Sequence, residues 1–153
     1  MTKELKLNQW NVKKIEIAND YLKNYKEIDN KRVERCCIYM AELGENIGRE
    51  LNKHRPVLVV STDLFNRKNQ PTLLVVPLTK DMIVCSDDPS RPRYFNHYFL
   101  KKDTYSFLDD DSTLQFEQMR VISKARLGRF VGKVNQDDMM KINNKLKKVL
   151  QLP

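Results

Sequence analysis

Residues 55–79 read RPVLVVSTDLFNRKNQPTLLVVPLT, in which two aliphatic runs flank a polar turn. Short runs rich in valine and leucine, bounded by proline, asparagine and aspartate, are typical of buried β-strands. The segment therefore predicts strands at 56–62 and 72–79. The same alternation of apolar runs and polar turns extends to both sides and predicts four more strands, at 37–43, 94–101, 113–122 and 129–134.

Helical patterns occur near both ends of the chain. Residues 8–29 contain neither glycine nor proline, and Asn8 is a suitable N-cap. Asn135 precedes two aspartates in what would be the first turn of a closing helix, where acids favour the helix N-terminus. The predicted apolar faces are Ile15, Ala18, Leu22 and Tyr25 in the first helix, and Met139, Ile142, Leu146 and Val149 in the second. The fold class predicted is mainly β with helices (α+β).

The chain length of 153 residues is that of one domain with one core. We interpret residues 1–35 as an N-terminal helical extension and residues 36–153 as the main domain. Between strands, the polar segment 44–55 contains two glycines and predicts an exposed loop. Residues 81–93 contain two prolines and an acidic pair, which predicts irregular structure.

The charge balance points to a polyanionic partner. The chain has 28 Lys+Arg against 20 Asp+Glu, a formal net charge of +8, and a pI near 9.4. Such an excess of positive charge favours nucleic acid. Three cysteines without CxxC spacing indicate neither a disulfide framework nor a zinc site. With no apolar run near the N-terminus, we expect a cytoplasmic protein without a membrane span.

Common metal and cofactor motifs are missing from the sequence. His54 and His97 are the only histidines, and the acidic residues 109–111 are consecutive, whereas calcium loops alternate their ligands. The four glycines match neither GxxxxGK[ST] nor GxGxxG. We therefore expect no metal and no nucleotide or other cofactor.

An arginine and a hydroxyl flank the two central strands. Arg55 directly precedes Pro56 and the run VLVV, so a strand fixes its backbone while its guanidinium faces solvent. Thr79 closes the run TLLVVPLT. A guanidinium anchored in this way is suited to binding phosphate. In the later run LQFEQMRVI, period two predicts Gln118 and Arg120 on one face and Glu117 on the other.

The order of these segments resembles the MazF/PemK family of toxin endoribonucleases. The resemblance covers about residues 36–150 and is carried by three motifs: Gly48-x-Glu50 leading to Arg55-Pro56, the strand that ends in Thr79, and Glu117-Gln118-x-Arg120. It implies a small SH3-like β-barrel, a homodimer, and a cognate antitoxin as a partner. It also implies metal-independent cleavage of single-stranded RNA to 2′,3′-cyclic phosphate and 5′-hydroxyl ends.

By this resemblance the catalytic residues are Arg55, which would bind and stabilise the phosphate or also protonate the leaving group, and Thr79, which would hydrogen-bond the reacting phosphate or the 2′-hydroxyl. The substrate-binding residues it implies are Arg49, Glu50, Lys53, His54, Glu117, Gln118 and Arg120. The loop departs from the family pattern Gly-Ser-Glu-x-Gly-Gly, because residues 48–54 read GRELNKH. Loss of the two later glycines is expected to stiffen the loop.

Two other functions fit the same sequence features. A gyrase-poisoning toxin shares the barrel architecture, would stabilise cleaved DNA and would leave RNA intact, since fold alone does not assign function. A nucleic-acid-binding regulator would use the basic segment 113–153, and loss of Arg55 would then lower affinity without abolishing any turnover.

Overall fold

A computed structural model describes all 153 residues. The elements are α1 (Lys3–Asp29), β1 (Cys37–Glu42), β2 (His54–Val59), β3 (Thr72–Thr79), β4 (His97–Leu100), β5 (Ser112–Gln115), β6 (Arg120–Ser123), β7 (Leu127–Lys133) and α2 (Gln136–Val149). Two single 3₁₀ turns, Phe116–Gln118 and Lys124–Arg126, flank β6.

The seven strands form one antiparallel sheet in the order β4-β5-β3-β2-β1-β7, with β6 paired to β3 beside β5. The predicted mainly β fold with helices is confirmed. The sheet is not closed, because β4 and β7 stand at opposite ends of the order and do not pair with each other. The barrel implied by the resemblance is therefore an open sheet with a helix at each end of the chain.

Strands β2 and β3 are buried on both faces. Val57 and Val59 belong to a cluster of nine buried residues, whereas Leu58 and Val60 belong to a cluster of thirteen on the other side. The apolar face of α2 packs on the larger cluster. Because successive strand residues point to opposite faces, this double burial requires apolar residues at every position and accounts for the unbroken aliphatic runs.

The prediction of one strand over 113–122 is wrong, because the segment forms two strands with a turn between them. Leu114 of β5 lies opposite Leu78, and Arg120 of β6 lies opposite Val75. Six steps along this segment therefore correspond to three steps along β3. The first 3₁₀ turn takes up the surplus residues, so the period-two pattern does not run through it.

Helix α1 begins earlier than predicted. Its N-cap is Thr2, whose Oγ1 accepts a hydrogen bond from the Leu5 amide at 3.2 Å, so Asn8 lies inside the helix. Residues 3–7, KELKL, are good helix formers that extend the helix back to this cap. The predicted end at Asp29 agrees with the structure.

The side of α1 that meets the sheet is not the predicted apolar face. The Arg126 guanidinium carbon lies 5.5 Å from the centroid of the Trp10 ring. Trp10 also packs against Gly44, where an added Cβ would be 2.3 Å from the indole. Ile15 and Leu22, from the predicted face, are 60% and 72% exposed. The helix carries apolar residues on both sides, so spacing alone does not identify the docked side.

The segment 81–93 is less irregular than predicted. Val84 and Pro92 form an antiparallel bridge, and the Cys85 amide donates to the Arg91 carbonyl at 2.9 Å. The remainder of the segment forms turns and bends. Neither α1 nor α2 combines the length and the apolarity needed to cross a membrane.

Lys124 ties the end of α1 to the loop after β2. Its side chain is buried, and Nζ donates to the carbonyl oxygens of Asp29, Lys31, Asn66 and Arg67 at 3.0 to 3.3 Å. Burial lowers the pKa of Lys124, an effect that the Asp29 carboxylate partly opposes. One ammonium thereby satisfies backbone carbonyls from two distant parts of the chain.

Replacing Lys124 with methionine is expected to lower the free energy of unfolding by about 2–4 kcal/mol, because buried carbonyls lose their donor. For a domain of this size the thermal midpoint would fall by roughly 5–15 °C in a circular dichroism melt. Lys147→Met, at an exposed position of α2, is the matched control and should leave the midpoint nearly unchanged. Equal midpoints for the two variants would contradict this role for Lys124.

Candidate active site

The pairing of β2 with β3 brings Arg55 and Thr79 to one place. Val57 lies opposite Pro77 at the end of the paired stretch; Arg55 lies two residues before Val57 and Thr79 two residues after Pro77, and Arg55 Nη1 reaches the Leu78 carbonyl across the two strands. A step of two residues keeps a side chain on the same face of a sheet. Both residues line a single cavity of about 440 Å³.

The Arg55 guanidinium is fixed by two backbone carbonyls. Nε donates to the Asn52 carbonyl at 2.7 Å, and Nη1 donates to the Leu78 carbonyl at 3.2 Å. Burial lowers the pKa of Arg55, and the nearby Asp81 carboxylate partly offsets this effect. Of the five N–H donors of a guanidinium, those on Nη2 make no hydrogen bond within the chain. They are available to an anion in the cavity.

The Thr79 hydroxyl is buried beside this cation. The residue is 7% exposed, and its Oγ1 accepts a hydrogen bond from the Asp81 amide at 3.3 Å. A hydroxyl can donate one hydrogen bond while it accepts another, and Thr79 donates to no group of the chain. The hydrogen bond from the Asp81 amide orients the Thr79 hydroxyl. The hydroxyl proton is left available for a hydrogen bond to a ligand.

The cavity contains charges of both signs. Lys53 and His54, both predicted from sequence to bind substrate, line it beside Arg55. Five charged lining residues were missed: Lys80, Asp81, Asp109, Asp110 and Arg129. Lys80 and Asp110 form an ion pair at 2.5 Å. Lys80 and Asp81 directly follow Thr79 in the sequence, so their proximity to the site could have been predicted. Arg129, by contrast, reaches the cavity only through the pairing of β7 with β1.

Four of the other predicted residues line a second cavity of about 380 Å³. Glu50, Glu117, Gln118 and Arg120 are found there, with no lining residue shared with the first cavity. The predicted single face for Gln118 and Arg120 is wrong in its geometry, because Gln118 belongs to a 3₁₀ turn and Arg120 begins β6. Both nevertheless border the same cavity.

Gln118 holds the loop 44–53 in place. Its Oε1 accepts from the Leu51 amide at 3.1 Å, and its Nε2 donates to the Arg49 carbonyl at 3.2 Å. Glu50 closes a turn of the same loop, since its Oε2 accepts from the Ile47 amide at 3.1 Å. These two side chains are therefore engaged with the backbone of the loop.

Glu117 forms its hydrogen bonds with residues at the start of β4 and not with the loop. Its Oε1 lies 3.0 Å from His97 Nε2, and its Oε2 accepts from Asn96 Nδ2 at 2.7 Å. His97 is buried, and its Nδ1 has no hydrogen-bond partner. Glu117 thus ties the 3₁₀ turn to the start of β4.

Comparison with known proteins identifies the family. Residues 34–150, about three-quarters of the chain, match the family described as PemK-like, MazF-like toxins of type II toxin-antitoxin systems. The chain belongs to this toxin family. A curated relative, endoribonuclease MazF of Staphylococcus epidermidis, is 29% identical over 114 residues, which span 74% of this chain and 88% of the relative.

Solved structures of MazF toxins share the fold. MazF of Deinococcus radiodurans aligns with a TM-score of 0.62 at 16% identity, covering 80% of this chain and 99% of that one. A mycobacterial endoribonuclease in complex with its cognate antitoxin aligns with a TM-score of 0.58 at 22% identity, covering 79% and 97%. The family match begins after α1, so this helix lies outside the matched toxin domain.

The loop of this toxin closes without the glycines of the family pattern. Lys53 has a φ of +71°, and its amide and carbonyl bond to Gly44 and Leu43 at 2.7 and 2.9 Å. A lysine thus occupies a left-handed conformation that glycine adopts at lower cost. The Arg49 side chain is exposed at the tip of the loop, outside both cavities.

Replacing Gln118 with alanine should release the loop, because two of its backbone groups lose their partners. We expect faster amide hydrogen exchange at Leu51 and a fall in unfolding free energy of only about 1–2 kcal/mol. Arg49→Ala is the control, since it removes a loop side chain but keeps both hydrogen bonds of Gln118. If exchange at Leu51 is as slow in Gln118→Ala as in Arg49→Ala, Gln118 does not anchor the loop.

Proposed function

We propose that this toxin is an endoribonuclease that cleaves single-stranded RNA without a metal ion. The observation that supports the proposal best is the pairing of a backbone-anchored guanidinium, Arg55, with a buried hydroxyl, Thr79, at one cavity. The relative named endoribonuclease MazF supports the same activity. The products are a 2′,3′-cyclic phosphate and a 5′-hydroxyl.

The reaction is a transfer of the phosphoryl group within RNA. The ribose 2′ oxygen forms a bond to the adjacent phosphorus while the bond from phosphorus to the 5′ oxygen breaks. The 2′ proton leaves to solvent, and the departing 5′ oxygen takes up a proton from solvent. Negative charge increases on the non-bridging oxygens in the transition state, so fixed hydrogen-bond donors aimed at these oxygens accelerate the reaction.

Arg55 supplies the positive charge of this site. The free Nη2 donors bind a non-bridging oxygen, while the bonds to Asn52 and Leu78 hold the guanidinium without reorganisation. Although burial lowers its pKa, a guanidinium stays protonated in proteins. Its role is therefore electrostatic. The Thr79 hydroxyl donates a hydrogen bond to the same phosphate, from a position set by the Asp81 amide.

The two cavities divide the binding of RNA. Lys53, His54 and Arg129 surround the scissile phosphate in the first cavity. A neighbouring nucleotide enters the second cavity, where Arg120 supplies a cation. The exposed Arg49 contacts the RNA backbone from the loop tip. The excess positive charge of the chain draws RNA to this surface.

Partners and location follow from the same proposal. A protein of the same fold was solved in complex with its cognate antitoxin. We propose that this toxin also binds an antitoxin, and that an acidic or apolar tail of the antitoxin occupies the RNA-binding surface. The toxin acts in the cytoplasm, where mRNA is found, and its matched domain forms a homodimer.

The decisive experiment is incubation of the purified toxin with a long single-stranded RNA in EDTA, followed by mapping of the new ends. Arg55→Ala and Thr79→Ala should each reduce cleavage about a hundredfold or more, because each removes a donor to the transition state. Circular dichroism should show the fold retained in both variants.

Exposed residues of the same types provide matched controls. Arg67→Ala and Thr104→Ala, at exposed positions that line neither cavity, should cleave at the rate of the unmodified toxin. Full activity in Arg55→Ala and Thr79→Ala would remove the site assignment. Intact RNA together with stabilised DNA breaks would contradict the endoribonuclease proposal as a whole.

A further inference from the structure

Helix α1 presents an apolar stripe to solvent. Leu5, Val12, Ile15 and Leu22 are 47%, 60%, 60% and 72% exposed. None of the residues of this 27-residue helix is buried. Val12 is two residues from Trp10, a rotation of about 200°, so the stripe lies on the side opposite the docked indole.

The stripe has the spacing of a helix-pairing seam. With Asn8 and Asn19 it follows steps of three, four, three, four and three residues, the alternation of a and d positions in a heptad repeat. We use the name α1 stripe for the six residues Leu5, Asn8, Val12, Ile15, Asn19 and Leu22.

The α1 stripe reads alike from both ends. In the order Leu, Asn, Val, Ile, Asn, Leu, an antiparallel copy places Leu5 against Leu22, Asn8 against Asn19, and Val12 against Ile15. Any helix matches itself in parallel, but an antiparallel match requires this internal symmetry. A two-fold interface likewise requires a surface that is complementary to itself.

Charge along α1 favours the antiparallel arrangement. Residues 3–14 contain four lysines and one glutamate, whereas residues 15–24, the rest of the span that this alignment pairs, contain one lysine and two acidic residues. Antiparallel pairing sets the basic half of one helix beside the acidic half of the other and opposes the two helix dipoles. Parallel pairing would place like charges together.

We infer that the α1 stripe is an interface for a second copy of this chain, with the two α1 helices packed antiparallel. The sheet of each copy lies on the outer side of its own helix, where Trp10 docks, so the sheets do not obstruct the pairing. The facing asparagines pair with each other and penalise registers shifted by one heptad, in which they would face valine or isoleucine.

The inference goes beyond the proposed function and does not depend on it. Helix α1 precedes the matched domain and contributes no residue to either cavity. If the matched domains also pair, α1 links such dimers into larger assemblies.

The test measures assembly by sedimentation equilibrium over a concentration series. Val12→Glu/Ile15→Glu is expected to reduce the mass of the assembly at least by half. Pairing would bury two glutamates from each chain, four like charges in all, at the centre of the interface. Leu64→Glu/Leu152→Glu adds the same charges at exposed apolar positions off α1 and should leave the mass unchanged. An unchanged mass in Val12→Glu/Ile15→Glu would overturn the inference.

Two measurements that do not depend on assembly check that the variants keep their fold and their activity. Trp10 is the only tryptophan, so its fluorescence reports whether α1 stays docked on the sheet. RNA cleavage per chain should equal that of the unmodified toxin. If the toxin cleaves no RNA, the proposed function fails, but the change in mass still tests the pairing of α1.

Disulfide cross-linking determines the orientation of the helices. A mixture of Leu5→Cys and Leu22→Cys chains should form a disulfide-linked dimer on oxidation, because these positions face each other only in the antiparallel register. Each variant alone should cross-link no more than the unmodified chain, which controls for Cys36, Cys37 and Cys85. Efficient cross-linking of each variant with itself would indicate parallel helices and would overturn the proposed arrangement.

A gain of affinity provides a complementary measurement. Asn8→Leu/Asn19→Leu removes the two polar pairs from the seam and should tighten the association at least tenfold, since asparagine at a core position of paired helices costs stability. Association no tighter than in the unmodified chain would show that these positions do not face a partner.

Discussion

The backbone register between β2 and β3 is the constraint on which the rest of this structure depends. It places Val57 opposite Pro77 and Val59 opposite Val75, with both faces of the strand pair covered. A shift of one residue would exchange the two faces of a strand. The same shift would carry Arg55 away from Thr79, so core packing and the geometry of the site are set by one set of hydrogen bonds.

Strand β3 extends this constraint to the rest of the sheet. It pairs with β2 along one side and with β5 and β6 along the other. The turn between β5 and β6 carries Gln118, which reaches back to the loop before β2. The loop is therefore held from two directions, by Gln118 at Leu51 and by Arg55 at Asn52.

The parts of the fold that sequence reasoning found are those set by local texture. Strand β3 was predicted because burial on both faces gives an unbroken aliphatic run, and helix α2 was predicted because burial on one face gives apolar residues at helical spacing. The turn inside 113–122 was missed, since it arises from a mismatch with β3 that only the pairing reveals. The docked side of α1 was missed because two faces of that helix are apolar.

The site residues likewise comprise some that the sequence predicted and others that only tertiary contacts reveal. Arg55 and Thr79 lie at ends of strands that the sequence predicted, and the structure places them at one cavity, while their catalytic roles remain a proposal. Arg129 was not found, because it comes from a strand far along the chain. Glu117 and Gln118 were expected on a strand, and their positions in a turn follow from tertiary contacts rather than from periodicity.

The anchors that Gln118 and Arg55 supply contact the main chain of the loop and not its side chains. Gln118 bonds the amide of Leu51 and the carbonyl of Arg49, and Arg55 bonds the carbonyl of Asn52. Every amino acid except proline offers the same amide and carbonyl groups. The exposed side chain of Arg49 can therefore be exchanged while these attachment points persist, which makes this position suitable for altering the proposed contact with RNA.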